Sequence, residues 1–526
     1  MTGSGLRKRL IINTFSNYIK MVMGMVITIF MTRALILGLD TESYGFWALM
    51  WSVFGYSLLL DFGFGASIQK YTSETIVTKD WDKFNRVVST VFFNYAFLGL
   101  VIILATFLLG ANLQNIFKFD VANQQYYYFV VIVFGLGTAF TFPFGFFTEV
   151  LRGMQALHIR NVIQVSAMFL NFIGILIAVK MSQPLLKMAF WSVGVSLIRN
   201  MAMAGAAFYK LKEMKISPKY YDKSIMKQVM GFSMYAYLIT FTNMIIFRTD
   251  QMVISIFSSV ALVTIYQISS KITETFRNFS AQFLDSLSPI TASLNAAGHK
   301  DKLAEVMLQS NRLMGIISTM LLIPLLVFVK PLLKVWLEIE DPLGVVIAVI
   351  LLVSMYVLLF FRSSSVYILL MLNKQKTLTK VALIECFANL GLSILLLHVM
   401  PKTITLYGIT IENFNIVGVA LGTFIPNIIL AFAYNIPAAI KFSGVTIKEY
   451  FNLSVKRTLF VGALVLSMAI GLFIWRYPES LLTIFLYCVV IGIVYATLTW
   501  FIGLEKWEKK QIAGFVTNKI NSRKRA

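Results

Sequence analysis

The sequence predicts an all-α polytopic membrane protein of about fourteen transmembrane helices. It is expected to form two parallel six-helix lobes related by pseudo-two-fold symmetry, followed by two C-terminal helices. Three observations carry that prediction. The 526 residues are 58% hydrophobic and 13% charged, with a mean hydropathy of +0.77, whereas a soluble domain carries about 25% charged residues. The apolar residues come in blocks of roughly twenty, the helical length that crosses a ~30 Å hydrocarbon core. The chain also resembles itself at an offset near 220 residues.

Taken in order, the blocks cover residues 10–32, 44–69, 87–110, 124–148, 161–180, 185–209, 230–257, 262–290, 312–329, 343–367, 379–399, 414–440, 457–475 and 481–503. The first is not a cleavable signal: it contains Asn13, Asn17 and Lys20 and no small-residue cleavage site. A strand barrel would alternate over about ten residues instead of running continuously apolar.

Lys and Arg orient the blocks, because cytoplasmic loops are enriched in both. The N-terminus, the loops that follow even-numbered spans and the C-terminus hold thirty-two of them. The opposite loops hold eight: Arg33, Lys118, Lys180, Lys187, Lys330, Lys334, Lys402 and Arg476. Both termini are therefore expected in the cytoplasm. The bias also accounts for the net charge of +22. Spread over eight short segments, the cations suit membrane topology and contact with anionic membrane lipids, not nucleic acid. Cys386 and Cys488 both lie inside spans, so no disulfide framework is expected.

The internal repeat rests on three matches in order. "TESYGFWALMWS" and "SSVALVTIYQIS" place Tyr44 and Tyr266 alike, and the following loops carry Lys-Asp at 79–80 and 300–301. "LRGMQALHIRNVIQVSAMFLNF" then faces "LMLNKQKTLTKVALIECFANLG", with Gln155 opposite Gln375. A six-span unit returns the chain to its starting side, so the halves are parallel repeats, and substrate sites in such transporters lie between them. The expected organisation is an N-lobe over 1–209, a basic cytoplasmic linker over 210–229, a C-lobe over 230–440, and spans 13–14 with a basic tail over 441–526.

Charges inside spans are costly, at ~2.5–3.5 kcal/mol each on insertion scales, so they usually face a bundle interior or water. Six cations are embedded: Lys20, Arg199, Arg248, Lys271, Arg277 and Arg362. The embedded acids are Asp61, Asp250, Glu274, Asp285 and Glu385, with Glu149 at the edge of span 4. In span 8, Gln267, Lys271, Glu274, Asn278, Gln282 and Asp285 recur every three or four residues and so share one helix face. Span 1 repeats the pattern more briefly with Asn13, Asn17 and Lys20. Two readings of the span 8 stripe stand: a solvated translocation cavity, or a static network in which Lys271 and Glu274 pair at i,i+3. For Arg248 and Asp250 the alternatives are a cavity lining and an interface pair near the end of span 7. Asp61 is either an ion-coupling carboxylate or a hydrogen-bonded packing acid.

The phrases "FRTDQMVISIFSSVALVTIYQISSKITETF", "VKPLLKVWLE" and "MLNKQKTLTKVALI", on a two-lobed frame, resemble the polysaccharide-transporter branch of the multidrug/oligosaccharidyl-lipid/polysaccharide (MOP) exporter superfamily. Within that branch the chain is similar to Wzx-type O-antigen and exopolysaccharide flippases. The resemblance covers essentially the whole chain and implies that spans 1, 2, 7 and 8 line a central cavity open alternately to each side. On that basis Lys20, Arg248, Lys271 and Arg277 are the substrate-binding cations. Asp61, Asp250, Glu274, Asn278 and Asp285 are the polar or ion-coupling groups, while Arg199, Arg362 and Glu385 are left to lobe-internal structure.

The implied function is translocation of an undecaprenyl-pyrophosphate-linked oligosaccharide (an O-antigen, capsule or exopolysaccharide repeat unit) across the bacterial cytoplasmic (inner) membrane. No covalent chemistry and no cofactor are expected, only H+ or Na+ coupling. The implied partners are a glycan polymerase and a chain-length regulator, and the chain is expected to work as a monomer. Two other classes compete. A drug or organic-cation exporter of the same superfamily should present carboxylates and aromatics. A membrane glycan polymerase or glycosyltransferase should carry a sizeable outer loop, whereas the loops here are short and the three histidines scattered. No nucleotide-binding or hydrolase motif is present.

Overall fold

The computed structural model describes residues 3–296, 300–372, 374–406, 408–505 and 509. It is predominantly helical, and its contacts divide it into two compact units, residues 1–267 and 268–526. Among the described residues, ten helical runs are long and apolar enough to cross a membrane, and a bent pair over Thr41–Asp61 and Phe64–Thr78 adds an eleventh. Each falls on one of the fourteen predicted blocks. The other three blocks are also helices, and they are the ones that carry Arg199, the Arg248–Asp250 segment and the polar stripe of span 8.

The first unit runs through α1 (Gly3–Gly38), α2 (Thr41–Gly55), α3 (Phe64–Thr78), α4 (Trp81–Ala111), short α5 (Leu113–Ile116), α6 (Gln124–Thr141), α7 (Phe147–Gly153), α8 (Leu157–Ala178), α9 (Pro184–Lys210), α10 (Lys223–Phe257) and the start of α11 (Val260–Ala296). Local chemistry sets the breaks. Asp40 caps α2 by accepting from the Ser43 N–H at 2.9 Å. Burial disfavours its charge, yet hydrogen bonds from Ser43 hold the carboxyl below its usual range. Asp80 caps α4 in the same way, and Pro184 opens α9 where no N–H is needed. Between α2 and α3, Phe62 and Gly63 take positive φ values of 46° and 78°, which bends the span by 49°. Gly63 tolerates that conformation because it has no Cβ.

Packing follows the membrane's logic. On α4, Phe97, Leu100, Leu104 and Leu108 are exposed at three- and four-residue spacing, while Asn85, Ser89, Thr90 and Thr106 are buried. An exposed stripe of large apolar side chains beside buried polar ones suits hydrocarbon outside and hydrogen bonding inside. α8 packs against α1 and α9, and α10 packs on α2, α3 and α4. The basic linker after α9 is a docked strap. Asn85 donates to the Glu213 carbonyl at 3.2 Å and accepts from the Lys215 N–H at 2.8 Å, while the Ser217 and Asp222 N–H groups donate to Ser89 and Thr90.

The second unit continues α11 and adds α12 (Lys300–Val327), α13 (Val329–Leu337), α14 (Pro342–Tyr356), α15 (Ser363–Met371), α16 (Gln375–Val399), α17 (Val417–Leu430), α18 (Ile436–Ser443), α19 (Ile447–Glu449), α20 (Lys456–Trp475) and α21 (Leu481–Leu498). A small antiparallel hairpin, β1 (Thr403–Leu406) and β2 (Ile409–Glu412), lies between α16 and α17. β-branched residues favour the strands and Gly408, at φ 79°, the turn between them. The last two spans pack on α12 through Ile323, Val461, Val465, Ala469, Ile484 and Ile491.

Candidate functional site

Within the first unit, α1, α2, α8 and α9 line a half-open cavity of about 320 Å³. Helical spacing builds its walls. Gln164, Met168 and Asn171 recur along one face of α8, and Ser192, Ser196 and Arg199 along one face of α9. Lys20 of α1 and Trp51 of α2 complete the lining. The Ser192 hydroxyl donates to Asn171 Oδ1 at 3.0 Å, which orients that amide, and Arg199 Nε donates to Asn200 Oδ1 at 3.3 Å. Among the described residues, neither Lys20 nor Arg199 lies within ion-pair distance of a carboxylate, and no carboxylate lines the cavity.

Arg199 is read from the sequence as lobe-internal, and inside the first unit it lines this cavity with Lys20. The signal was present in the polar spacing on α9 and α8, but it becomes a site only when the two helices pack together.

Arg248 sits on α10 against α2. Its guanidinium donates to the Trp51 carbonyl at 2.9 Å and lies over Gly55, where a Cβ would come within 2.5 Å of Nη1. In return, the Ser52 hydroxyl donates to the Arg248 carbonyl at 2.6 Å. Arg248 thus holds the backbone of the residue whose indole lines the cavity. Asp250 is buried and accepts from the Tyr266 hydroxyl at 2.5 Å. Two residues apart on a helix, Arg248 and Asp250 point to different faces and form no ion pair with each other.

Asp61 ends the broken half of its span. It accepts from the Tyr95 hydroxyl and from the Gly65 N–H, the latter at 3.3 Å, and so caps α3. Glu149 approaches the same Gly65 through its Cγ. Asn17, one turn before Lys20, also meets α8: Asn161 donates to its Oδ1 at 2.6 Å, which ties α1 to α8.

In the second unit, Lys271 and Glu274 form an ion pair at 2.7 Å, the i,i+3 contact that the static reading of the stripe predicts. Arg277 is half-buried and Asn278 exposed on the same helix. The side chains of Asn13, Ser233, Gln282 and Asp285 lie outside the described residues. Arg362 and Glu385 form a buried bidentate pair at 2.5 Å, and Arg362 also donates to Asn427. That pair fits the internal role expected for both residues.

No sequence model of a known family matches the chain, and no curated protein matches it. Solved structures do. The structure of the lipid II flippase MurJ in an inward closed conformation aligns at a TM-score of 0.66 and 12% identity, covering 93% of this chain and 98% of that one. An inward-facing multidrug resistance MATE family transporter aligns at 0.61 and 14%, covering 80% and 95%. A MOP superfamily transporter from Pyrococcus furiosus, described for the reversed polarity of its binding pocket, aligns at 0.59 and 13%, covering 82% and 96%. The chain has the fold of MOP superfamily transporters. At these identities the likeness establishes the MOP fold and leaves the cargo open.

Proposed function

We propose that the protein is a flippase for an undecaprenyl-pyrophosphate-linked oligosaccharide in the bacterial cytoplasmic membrane, working by alternating access through a cationic interior. One observation carries the reading: among the described residues, Lys20, Arg199 and Arg248 sit in helices that the sequence assigns to spans, without a carboxylate at ion-pair distance. Such cations are expensive in hydrocarbon and imply an anionic guest or water. In a low-dielectric enclosure their attraction for phosphate or carboxylate far exceeds its value in water. An organic-cation exporter would need the opposite polarity. The MurJ structure, a lipid II flippase, also covers more of the chain than the MATE structures do. Without a nucleotide motif, coupling falls to H+ or Na+, with Asp61 and Glu274 as candidate carriers.

The test is reconstitution. Proteoliposomes carrying a fluorescent undecaprenyl-pyrophosphate oligosaccharide should show protein-dependent loss of inner-leaflet label, with no transport of ethidium or similar cations. Cation efflux without oligosaccharide flipping would instead favour the drug-exporter reading.

A further inference from the structure

We infer that the half-open cavity lined by α1, α2, α8 and α9 is a discrete oxyanion subsite that takes the carboxylate or phosphate of a single sugar residue. The inference rests on the proposed anionic-saccharide cargo and adds where one charged sugar of that cargo is held. The lining is rich in donors. Lys20 offers an ammonium with three N–H groups and Arg199 a planar fork suited to two oxygens of one anion. Gln164, Asn171 and Ser196 contribute neutral donors, and the Ser192 hydroxyl already occupies the Asn171 oxygen, which leaves its NH2 group for the cavity. This donor excess, with two positive charges and no lining carboxylate, is the complement of an oxyanion.

Size narrows the guest. At about 320 Å³ the cavity stands at the lower end of ligand pockets, which run ~300–1,000 Å³. It suits one sugar ring with its charged group better than a pyrophosphate bearing several sugars. Trp51 provides a flat apolar wall of the kind a sugar ring lies against, while the polar groups fix the oxyanion. Neighbouring residues brace this wall. Arg248 grips the Trp51 carbonyl at 2.9 Å, and Trp47 and Phe134 pack edge-on to the indole at 6.2 and 5.5 Å. The subsite is therefore distinct from Arg248, which acts on it only through Trp51.

The test uses the full chain purified in detergent, with binding followed by calorimetry and tryptophan fluorescence. The probes are glucuronate, glucose 1-phosphate, glucose and inorganic phosphate. Glucuronate or glucose 1-phosphate should bind at least about tenfold more tightly than glucose, the least expected for charge-assisted contacts. Preference between the two separates a sugar carboxylate from a sugar phosphate as the natural group. Lys20→Gln and Arg199→Gln should each weaken binding about tenfold or more. Either variant could fold poorly, so Ser196→Asp is the second arm. It supplies an internal counter-ion one turn from Arg199, and it should keep thermal stability while abolishing oxyanion binding. Equal affinity for glucose, or undiminished binding in Ser196→Asp, overturns the site. Inorganic phosphate binding as tightly as glucose 1-phosphate overturns its sugar part. Oxyanion binding that survives while no lipid-linked oligosaccharide is flipped would leave the subsite standing and remove the proposed cargo.

Discussion

Lys118 and Val260 are joined through their backbones, with the Val260 N–H donating to the Lys118 carbonyl at 2.9 Å. Lys118 returns the contact twice: its N–H donates to the Ser255 carbonyl at 3.0 Å and its Nζ to the Phe257 carbonyl at 3.2 Å. The loop after α5 thereby clasps the turn between α10 and α11. Beside it, the Thr264 hydroxyl donates to the Thr41 carbonyl at 2.5 Å, and Gly45 leaves room for the Val260 carbonyl that a Cβ would strike. This is the end of the spans that the Lys/Arg bias leads one to expect on the outside. The clasp is the contact that must part for the turn to leave α2.

Gly45→Val should therefore loosen the clasp, since the side chain meets a backbone oxygen and not a pliable side chain. Losing one or two backbone hydrogen bonds, at ~0.5–1.5 kcal/mol each, raises the open population roughly tenfold. A Val263→Cys reporter, buried beneath the clasp, should then react correspondingly faster with a membrane-impermeant maleimide. Unchanged labelling would mean that the clasp does not close this end.

For Arg248 the expectation follows from its hold on Trp51. Arg248→Ala should cut oligosaccharide flipping severely with the protein still abundant in the membrane, and Glu should be worse because its carboxylate repels the Trp51 carbonyl to which the guanidinium donates. Arg248→Lys should rescue only in part, since a lysine cannot reproduce the planar fork. Flipping assays read beside membrane abundance decide the matter; normal transport by Arg248→Ala would sink the cationic-interior argument.

Lys271 and Glu274 are expected to behave as a unit. Removing Lys271 alone takes from the Glu274 carboxylate the cation that stands 2.7 Å away, so detergent melting temperature should fall. Removing both should restore most of it, with a coupling of ~0.5–3 kcal/mol in the double-mutant cycle. Additive losses would show that each side chain serves a separate purpose.

The Arg362–Glu385 pair is the larger structural risk. Both side chains are largely buried, 12% and 5% exposed, and the contact is bidentate. Glu385→Gln should cost ~3–5 kcal/mol by leaving a buried guanidinium uncompensated, whereas Arg362→Met with Glu385→Met should recover much of the loss. Thermal unfolding of the three variants in one detergent measures both. A double variant no more stable than the single would contradict the account.

Asp61 makes the coupling reading testable. Asp61→Asn keeps a side-chain oxygen for the Gly65 N–H and should fold, but it removes a titratable group near Glu149. Transport should persist down the substrate gradient and lose its response to an imposed H+ gradient. A variant still driven by that gradient would move coupling elsewhere.

What was legible in the sequence was imposed by the bilayer. All fourteen predicted blocks are helical, and eleven of them have the length and apolarity that hydrocarbon demands of a helix with every backbone group paired internally. The Lys271–Glu274 contact was also legible, since three residues along a helix fix a neighbour without any tertiary information. The bend after Asp61 was less so, because Phe62 adopts a left-handed conformation that only its packing holds in place. Arg362 and Glu385 could be sorted as internal, but their partnership needed two helices brought together. The cavity lay furthest from reach. Lys20, Trp51, Asn171 and Arg199 come from four helices, each polar residue alone reads as an isolated cost, and an oxyanion site exists only where packing turns those costs toward one space. Secondary structure in a membrane follows from local hydropathy, which the sequence states residue by residue. Which embedded charges meet, and which stay open to a guest, depends on helix packing and rotation, which only the tertiary structure decides.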